Sequence, residues 1–352
     1  MRRLGDVAQG RDNNFNLIRL CAATAVLVSH AWPLTGGPGT PEPLQRLTGH
    51  SLGTLAVYVF FAVSGFFVSA SFARRASAAD FLIARGLRLF PALAVSLLLV
   101  VLVLGPVVTT LPLAEYLGAP GTARFLLRNL ALVDPLYSLP GVFEANPYPK
   151  VEGSIWTLGY EVACYAMVCL AGLTGLTQRP RPLALAFGAY GVMWVAAATV
   201  HLPQRVEDLH LLSLPFVLGM AAWHARDRLP LSFAGVAALV LLAVLLRPTA
   251  AAFPALVAAL AYATFWAGYL PLRAARLWNR AGDYSYGLYV YAFPVQGLVV
   301  WALGALTPAQ NIALALPPTL ALAVLSWHLI EKPALALRTA RMRRARLVPA
   351  AR

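Results

Sequence analysis

Apolar segments of about 20 residues recur along the whole chain, and they constrain its fold more than any other feature. A helix of about 20 residues is long enough to cross the ~30 Å hydrocarbon layer of a bilayer. Segments of this kind lie near residues 15–33, 52–73, 81–105, 154–175, 183–200, 208–225, 231–246, 251–270, 284–304 and 310–331. We therefore predict an all-α integral membrane protein with about ten transmembrane helices.

Composition supports this interpretation and excludes other classes of protein. The chain is 59% hydrophobic and only 12% charged, which is too apolar for the cores of one or two water-soluble domains. Its 28 Lys and Arg residues exceed its 14 Asp and Glu residues, but the basic residues lie between apolar segments, which disfavours nucleic-acid binding. The three cysteines lie in apolar stretches without metal-ligand partners, so no metal site is predicted.

The distribution of basic residues predicts the orientation. Cytoplasmic loops retain Lys and Arg, and 22 of the 28 basic residues fall on one side if the amino terminus is cytoplasmic. Both termini are therefore predicted to be cytoplasmic, with a transmembrane domain over residues 1–335 and an Arg-rich cytoplasmic tail over 336–352. Two long outer loops are predicted at 34–51 and 106–153, and residues 121–133 could form a re-entrant or interfacial helix.

Arg19, His30 and Glu161 are ionisable residues within predicted membrane helices, where burial of charge is costly and usually functional. Arg19 and His30 are 11 residues apart, about three helical turns or ~16 Å, so they share one helix face. Glu161 lies at a similar predicted depth and could fix the tautomer of a histidine. The alternatives are that Arg19 reaches the lipid headgroups, that His30 caps a helix end, and that Glu161 makes a structural hydrogen bond.

Two further motifs are candidates for ligand binding. Ser64 and Gly65 lie in FFAVSGF, where the glycine would let another backbone or a thin ligand chain approach closely. Arg85 and Arg88 are three residues apart on one helical face, and paired guanidinium groups suit phosphate recognition. For both motifs the alternative is structural: helix packing for the small residues and membrane anchoring for the arginines.

These segments together resemble the acyltransferase-3 family of membrane acyltransferases, from about residue 12 to residue 335. The matching features, in order, are Arg19 with His30, FFAVSGF, Arg85 with Arg88 before Pro91, SIWTLGYEVACY at 154–165, SYGLYVYAFPVQ at 285–296 and IEKP at 330–333. One departure is that Ala292 stands where many members have a second histidine.

The resemblance implies an O-acetyltransferase of the bacterial inner membrane. Its donor would be cytoplasmic acetyl-CoA or another acyl-CoA, and its acceptor a hydroxyl of a surface or exported polysaccharide or of a lipid-linked precursor. The family's essential histidine falls on His30, its arginine partner on Arg19, and its RxxR pair on Arg85 and Arg88.

A mechanism follows as a hypothesis. His30 would be a general base or an acyl carrier, Glu161 would orient it, and Trp156 and Tyr165 would shape the acceptor side. The pantetheine arm of the donor would pass along Ser64 and Gly65. The alternative function is a transporter or flippase for a glycan lipid or small molecule, which forms no bond.

Overall fold

The computed structural model describes residues 2–10, 12–74 and 77–337, without the side chains of residues 273, 274 and 277. Residues 338–352, most of the predicted Arg-rich tail, lie outside the described residues. The described residues are helical and form no β-strand beyond an isolated bridge between Arg3 and Pro230. The all-α prediction is therefore confirmed.

The helices follow one another along the chain with short connections, apart from the longer loop between α8 and α9. In chain order they are α1 (Leu4–Val7), α2 (Phe15–Gly36), α3 (Pro43–Thr48), α4 (Leu52–Ala73), α5 (Ala78–Leu99), α6 (Gly105–Val108), α7 (Leu113–Gly118), α8 (Pro120–Ala131), α9 (Leu158–Leu173), α10 (Pro180–Ala197), α11 (Gln204–His224), α12 (Phe233–Leu245), α13 (Ala252–Gly268), α14 (Arg273–Ala281), α15 (Ser285–Leu303) and α16 (Pro308–Ser326). Short 3-10 turns at Ile155–Thr157 and Leu176–Gln178 and π-helical turns at Val100–Leu104 and Trp327–Glu331 complete the set.

Each of the ten predicted apolar segments contains a helix, and seven helical spans within the described residues are long and apolar enough to cross a membrane. The other three segments correspond to α10, α12 and α13. Helices α12 and α13 contain 13 and 17 residues, about 20 Å and 25 Å at 1.5 Å per residue, which is less than a ~30 Å hydrocarbon layer. The protein is an integral membrane protein, while the count of ten and the cytoplasmic termini stay predictions.

The chain packs as two compact units, which are described separately. Unit 1 comprises Met1–Arg19, Leu55–Phe81 and Tyr160–Ala281, and unit 2 comprises Leu20–Thr54, Leu82–Gly159 and Gly282–Arg352. The single transmembrane domain predicted over residues 1–335 stays a prediction.

In unit 1, two glycines bring α4 and α11 into backbone contact. A Cβ atom at Gly65 would lie 2.0 Å from the carbonyl oxygen of Phe216, and one at Gly219 would lie 2.0 Å from that of Ala62. Small residues allow such an approach between membrane helices. One of the two alternatives predicted for Gly65, the approach of another backbone, is therefore observed. Passage of a ligand chain at this position stays a prediction.

Aromatic side chains fill the space beside this contact in unit 1. The ring of Phe66 lies 5.1 Å from that of Phe265 and 5.5 Å from that of Trp223, between ring centroids. The ring of Phe15, at the start of α2, lies 4.8 Å edge-on from that of Phe67. These distances are typical of packed aromatic pairs, so a dense aromatic core lies beside the contact between α4 and α11.

In unit 2, α15 and α16 form a closely packed hairpin. A capping box between Thr307 and Gln310 begins α16, and a Cβ atom at Gly287 would lie 2.8 Å from the Cα of Ala323. The segment predicted as a re-entrant or interfacial helix forms α8. Near the end of α8, the side-chain amide of Asn129 exchanges two 2.8 Å hydrogen bonds with the backbone of Leu136. These bonds fix the start of the long loop that leads to α9.

We expect Gly219→Ala to lower the melting temperature of the purified protein, because even a methyl group would displace the backbone of α4. Alanine is otherwise favoured over glycine in a helix by about 1 kcal/mol. The matched control is Gly188→Ala in α10, where no atom lies within 4 Å of the new Cβ. Thermal unfolding in detergent measures both variants. A Gly219→Ala protein as stable as Gly188→Ala would contradict the close contact.

Candidate active site

His30 lies on α2 within unit 2, and its ring packs against an aromatic ring of α15. The centroids of His30 and Phe293 are 5.1 Å apart, with an interplanar angle of 77°. The Nδ1 atom of His30 is buried and has no hydrogen-bond partner among the described residues. A buried ring nitrogen without a partner is costly in a folded protein. This nitrogen is therefore available to a group that the described residues do not provide.

The loop before α9 packs on the same phenylalanine. A Cβ atom at Gly153 would lie 2.3 Å from the Phe293 ring, so only glycine allows the loop to come this close. The ring of Tyr148 lies 6.2 Å from that of Phe293. Within unit 2, Phe293 thus lies between the imidazole and the loop that carries the SIWTL sequence.

Tyr289, one turn earlier on α15, anchors this loop. Its hydroxyl donates to the carbonyl oxygen of Ser154 at 2.6 Å and shares a 2.6 Å hydrogen bond with the Thr157 hydroxyl. Both partners are buried. These bonds fix the 3-10 turn Ile155–Thr157 against α15, and that turn carries the partly buried Trp156. The predicted role of Trp156 on the acceptor side stays a prediction.

Glu152 is a buried carboxyl group that was not among the predicted site residues. Its side chain is 1% exposed, and its Oε1 atom accepts hydrogen bonds from the backbone N–H groups of Ser154 and Gly153 at 3.1 and 3.2 Å. Burial raises the pKa of Glu152 to about 8, although the backbone N–H groups of Ser154, Gly153 and Ile155 act to lower it. Its position directly before GSIWTL was the available signal.

The Glu161 carboxylate belongs to unit 1, where two hydroxyl groups bind it. The Ser64 hydroxyl donates to Glu161 Oε1 at 2.9 Å, and the Tyr165 hydroxyl donates to the same oxygen at 2.5 Å. Tyr165 is one helical turn from Glu161 on α9, and Ser64 lies on α4. The structure therefore brings three predicted site residues together. The predicted action of Glu161 on His30, and the acceptor role of Tyr165, stay predictions.

Arg88 lies in an ion cluster of unit 2. Its guanidinium group contacts Asp283 at 2.5 Å and Glu331 at 3.5 Å, and both carboxylates are largely buried. The cation also lies 5.9 Å from the ring centroid of Tyr286 and 6.0 Å from that of Trp327. Two buried carboxylates and two aromatic faces therefore fix its orientation.

That cluster was not predicted from the sequence. Arg88 was predicted as a site residue for its spacing from Arg85, and Glu331 lies within the IEKP motif. Asp283, directly before the SYGLYVYAFPVQ sequence, was missed because its partner is 195 residues away. The phosphate-binding role predicted for Arg85 and Arg88 stays a prediction.

The remaining predicted residue, Arg19, lies in unit 1 at the beginning of α2. Its guanidinium group donates to the Asn16 side chain at 2.7 Å, one turn earlier on the helix. Its predicted partnership with His30 stays a prediction. No group of three or more His, Cys, Asp or Glu side chains in the described part of the chain could hold a metal ion.

Known proteins resemble this chain over nearly its whole length. A model of the acyltransferase-3 family, described as an acyltransferase domain, matches residues 12–328. Nodulation protein 10 of Rhizobium leguminosarum bv. viciae is 30% identical, over 94% of this chain and 95% of that protein. An O-acetyl transferase of Shigella phage Sf6 is 28% identical, over 92% of this chain and 96% of that protein. No solved structure gives a significant match.

We expect Asp283→Asn to lower the melting temperature, because it removes one carboxylate from a largely buried ion cluster. Breaking a buried ion pair typically costs about 3–5 kcal/mol. The matched control is Asp227→Asn, whose side chain is 74% exposed and 3.8 Å from Arg226; exposed pairs contribute about 0–1 kcal/mol. Thermal unfolding in detergent compares them, and equal melting temperatures for the two variants would contradict a stabilising cluster.

Glu152 should make the stability of the protein depend on pH. Its pKa in the folded protein, about 8, lies above the ordinary value of 4.5, so folding favours the neutral acid. This contribution to stability is complete below the ordinary pKa and is lost as the pH rises through the folded-state pKa.

We therefore expect Glu152→Gln to remove part of the fall in melting temperature between about pH 5 and about pH 9. Glu115→Gln, at an exposed position of α7, is the matched control and should follow the wild-type curve. Identical curves for Glu152→Gln and the wild type would contradict a buried neutral acid.

Proposed function

Because the chain belongs to the acyltransferase-3 family of integral membrane acyltransferases, we propose that it is a membrane O-acetyltransferase. It transfers an acetyl group from cytoplasmic acetyl-CoA to a hydroxyl of a surface or exported polysaccharide, or of its lipid-linked precursor, at the bacterial inner membrane. The name of the phage relative, O-acetyl transferase, supports the reaction. No metal ion is needed for the transfer.

His30 carries the proposal. The imidazole lies within a helical bundle of a membrane protein, packs on Phe293 and has a buried Nδ1 atom without a hydrogen-bond partner among the described residues. An imidazole that merely stabilised the fold would be expected to use its buried nitrogen in a hydrogen bond. A neutral imidazole at this position is suited to accept a proton from a substrate hydroxyl.

In the proposed reaction, His30 takes the proton of the acceptor hydroxyl as the hydroxyl oxygen attacks the thioester carbonyl carbon. The carbon–sulfur bond breaks, and the leaving thiolate takes that proton from the imidazolium. The products are an acetyl ester and free CoA. In the covalent variant, the imidazole attacks the thioester first, and an acetyl-histidine passes its acetyl group to the hydroxyl.

The donor is held at the arginine pair. Coenzyme A carries anionic phosphates, and Arg85 and Arg88 lie three residues apart on α5. Asp283 and Glu331 orient the Arg88 guanidinium but also offset its charge. Arg88 therefore acts mainly through its fixed direction.

We expect His30→Ala to abolish acetyl transfer while the protein still inserts into membranes at the wild-type level. Membranes from the native host that contain each variant would be supplied with acetyl-CoA labelled in the acetyl group. Free CoA and the label in the glycan and lipid-linked glycan fractions would then be measured. The matched control, His201→Ala, changes an exposed histidine and should keep wild-type transfer.

Substantial transfer by His30→Ala would refute the assignment of His30. A wild-type protein that releases no CoA and labels no fraction, with acetyl-CoA and then with a longer acyl-CoA, would refute the proposed enzyme and favour a transporter.

A further inference from the structure

A second buried polar atom without a partner lies one helical turn from the His30 contact. Gln296, on α15, is 0% exposed, and its Oε1 atom has no hydrogen-bond partner among the described residues. The contacts of its amide nitrogen are fully accounted for: Nε2 donates to the Leu27 carbonyl at 3.0 Å and to Asn311 Oδ1 at 2.8 Å.

The orientation of this amide is fixed by its neighbours. Asn311 donates through Nδ2 to the backbone carbonyl of Gln296 at 3.1 Å, so its Oδ1 atom is the one that meets the Gln296 side chain. Both groups that face Nε2 are then acceptors, and rotating the amide by 180° would set oxygen against oxygen. Gln296 Oε1 therefore cannot turn to find a partner in Asn311 or Leu27.

The contacts of Gln296 and Phe293 place the Gln296 side-chain amide about one helical turn from the contact between His30 and Phe293. Leu27 and His30 are three residues apart on one face of α2, as Phe293 and Gln296 are on one face of α15. Gln296 contacts Leu27, and Phe293 contacts His30. The two contacts are thus about one turn, or ~5 Å, apart along the helices.

We infer that Gln296 binds the acceptor, by accepting a hydrogen bond from a hydroxyl next to the one that His30 deprotonates. This inference rests on the proposed function and adds to it a recognition residue and the requirement for a second hydroxyl beside the one that reacts. Amide oxygen accepts and never donates, so its ligand must carry a donor. A thioester carbonyl has none, whereas a sugar offers hydroxyls on neighbouring carbons that can span two sites about one turn apart.

Binding of an acceptor hydroxyl would also remove the cost of leaving the buried Oε1 atom of Gln296 without a partner. A buried carbonyl group without a partner destabilises a protein by about 1–3 kcal/mol, and this cost is removed when a hydroxyl binds. Asn311, in contrast, has both polar side-chain atoms bonded to Gln296. Asn311 is therefore a positioning residue, and Gln296 is the residue that contacts substrate.

The test is Gln296→Met, which keeps the length of the side chain and removes the amide. The acceptor probe is the lipid-linked glycan fraction of host membranes, quantified by its sugar content, and the donor is acetyl-CoA. We expect the acceptor KM to rise about tenfold, as for the loss of one hydrogen bond, and the donor KM to stay unchanged. Thr319→Val is the matched control, because among the described residues this buried hydroxyl on α16 bonds only its own helix, at the Ala315 carbonyl.

A second variant covers the case in which Gln296→Met does not fold. Asn311→Leu leaves Gln296 in place but removes the groups that orient its amide, so the acceptor KM should rise by a smaller factor. For Gln296→Met, an unchanged acceptor KM would mean that water alone satisfies the Oε1 atom. A fall in kcat with both KM values unchanged would mean that Gln296 only positions α2. Either result overturns the inference. A wild-type protein without transfer would instead refute the proposed function, and this inference with it.

Discussion

The lipid interior provides no hydrogen bonds, and this constraint determines the structure from the backbone to the proposed active site. Helices satisfy it for the main chain, because every internal N–H and C=O group is paired within its own segment. Side chains must satisfy it by other means. Thr319 and Thr264 do so by bonding carbonyl groups of their own helices. A buried polar atom that remains unpaired is therefore informative, since neither backbone nor solvent explains it.

Helix α15 shows how this constraint builds a site in unit 2. Successive residues on one face of it have different tasks: Tyr289 holds the loop at Ser154, Phe293 packs on His30, and Gln296 holds α2 at Leu27. The same face therefore sets the position of the imidazole and of the loop beside it. At position 292, alanine occupies a site that is 1% exposed, so packing rather than a second imidazole is what this position contributes.

The sequence predicted the helices well and their partners poorly, for physical reasons. Apolar length is a local property, and each predicted segment contains a helix. Pairing of side chains is not local: Arg88 and Glu331 are 243 residues apart, and no spacing rule connects them. The cluster of Ser64, Glu161 and Tyr165 was only partly accessible, because Tyr165 is one turn from Glu161 whereas Ser64 reaches it from α4. Glu152 and Gln296 were overlooked because each lies at the edge of a motif selected for other residues.

The buried carboxylates also show that burial alone does not identify a catalytic group. Asp283 and Glu331 are compensated by the Arg88 cation, which makes their charges part of the fold. Glu152 is buried beside backbone N–H groups and is favoured as a neutral acid below about pH 8. Glu161 differs from both, because its described contacts are two hydroxyl dipoles that bind one oxygen atom. Hydroxyl groups fix the direction of a carboxylate without neutralising its charge. The direction of the Glu161 carboxyl group is therefore fixed by hydroxyl groups of α4 and α9 in unit 1, whereas a cation fixes Asp283 and Glu331 and backbone N–H groups fix Glu152.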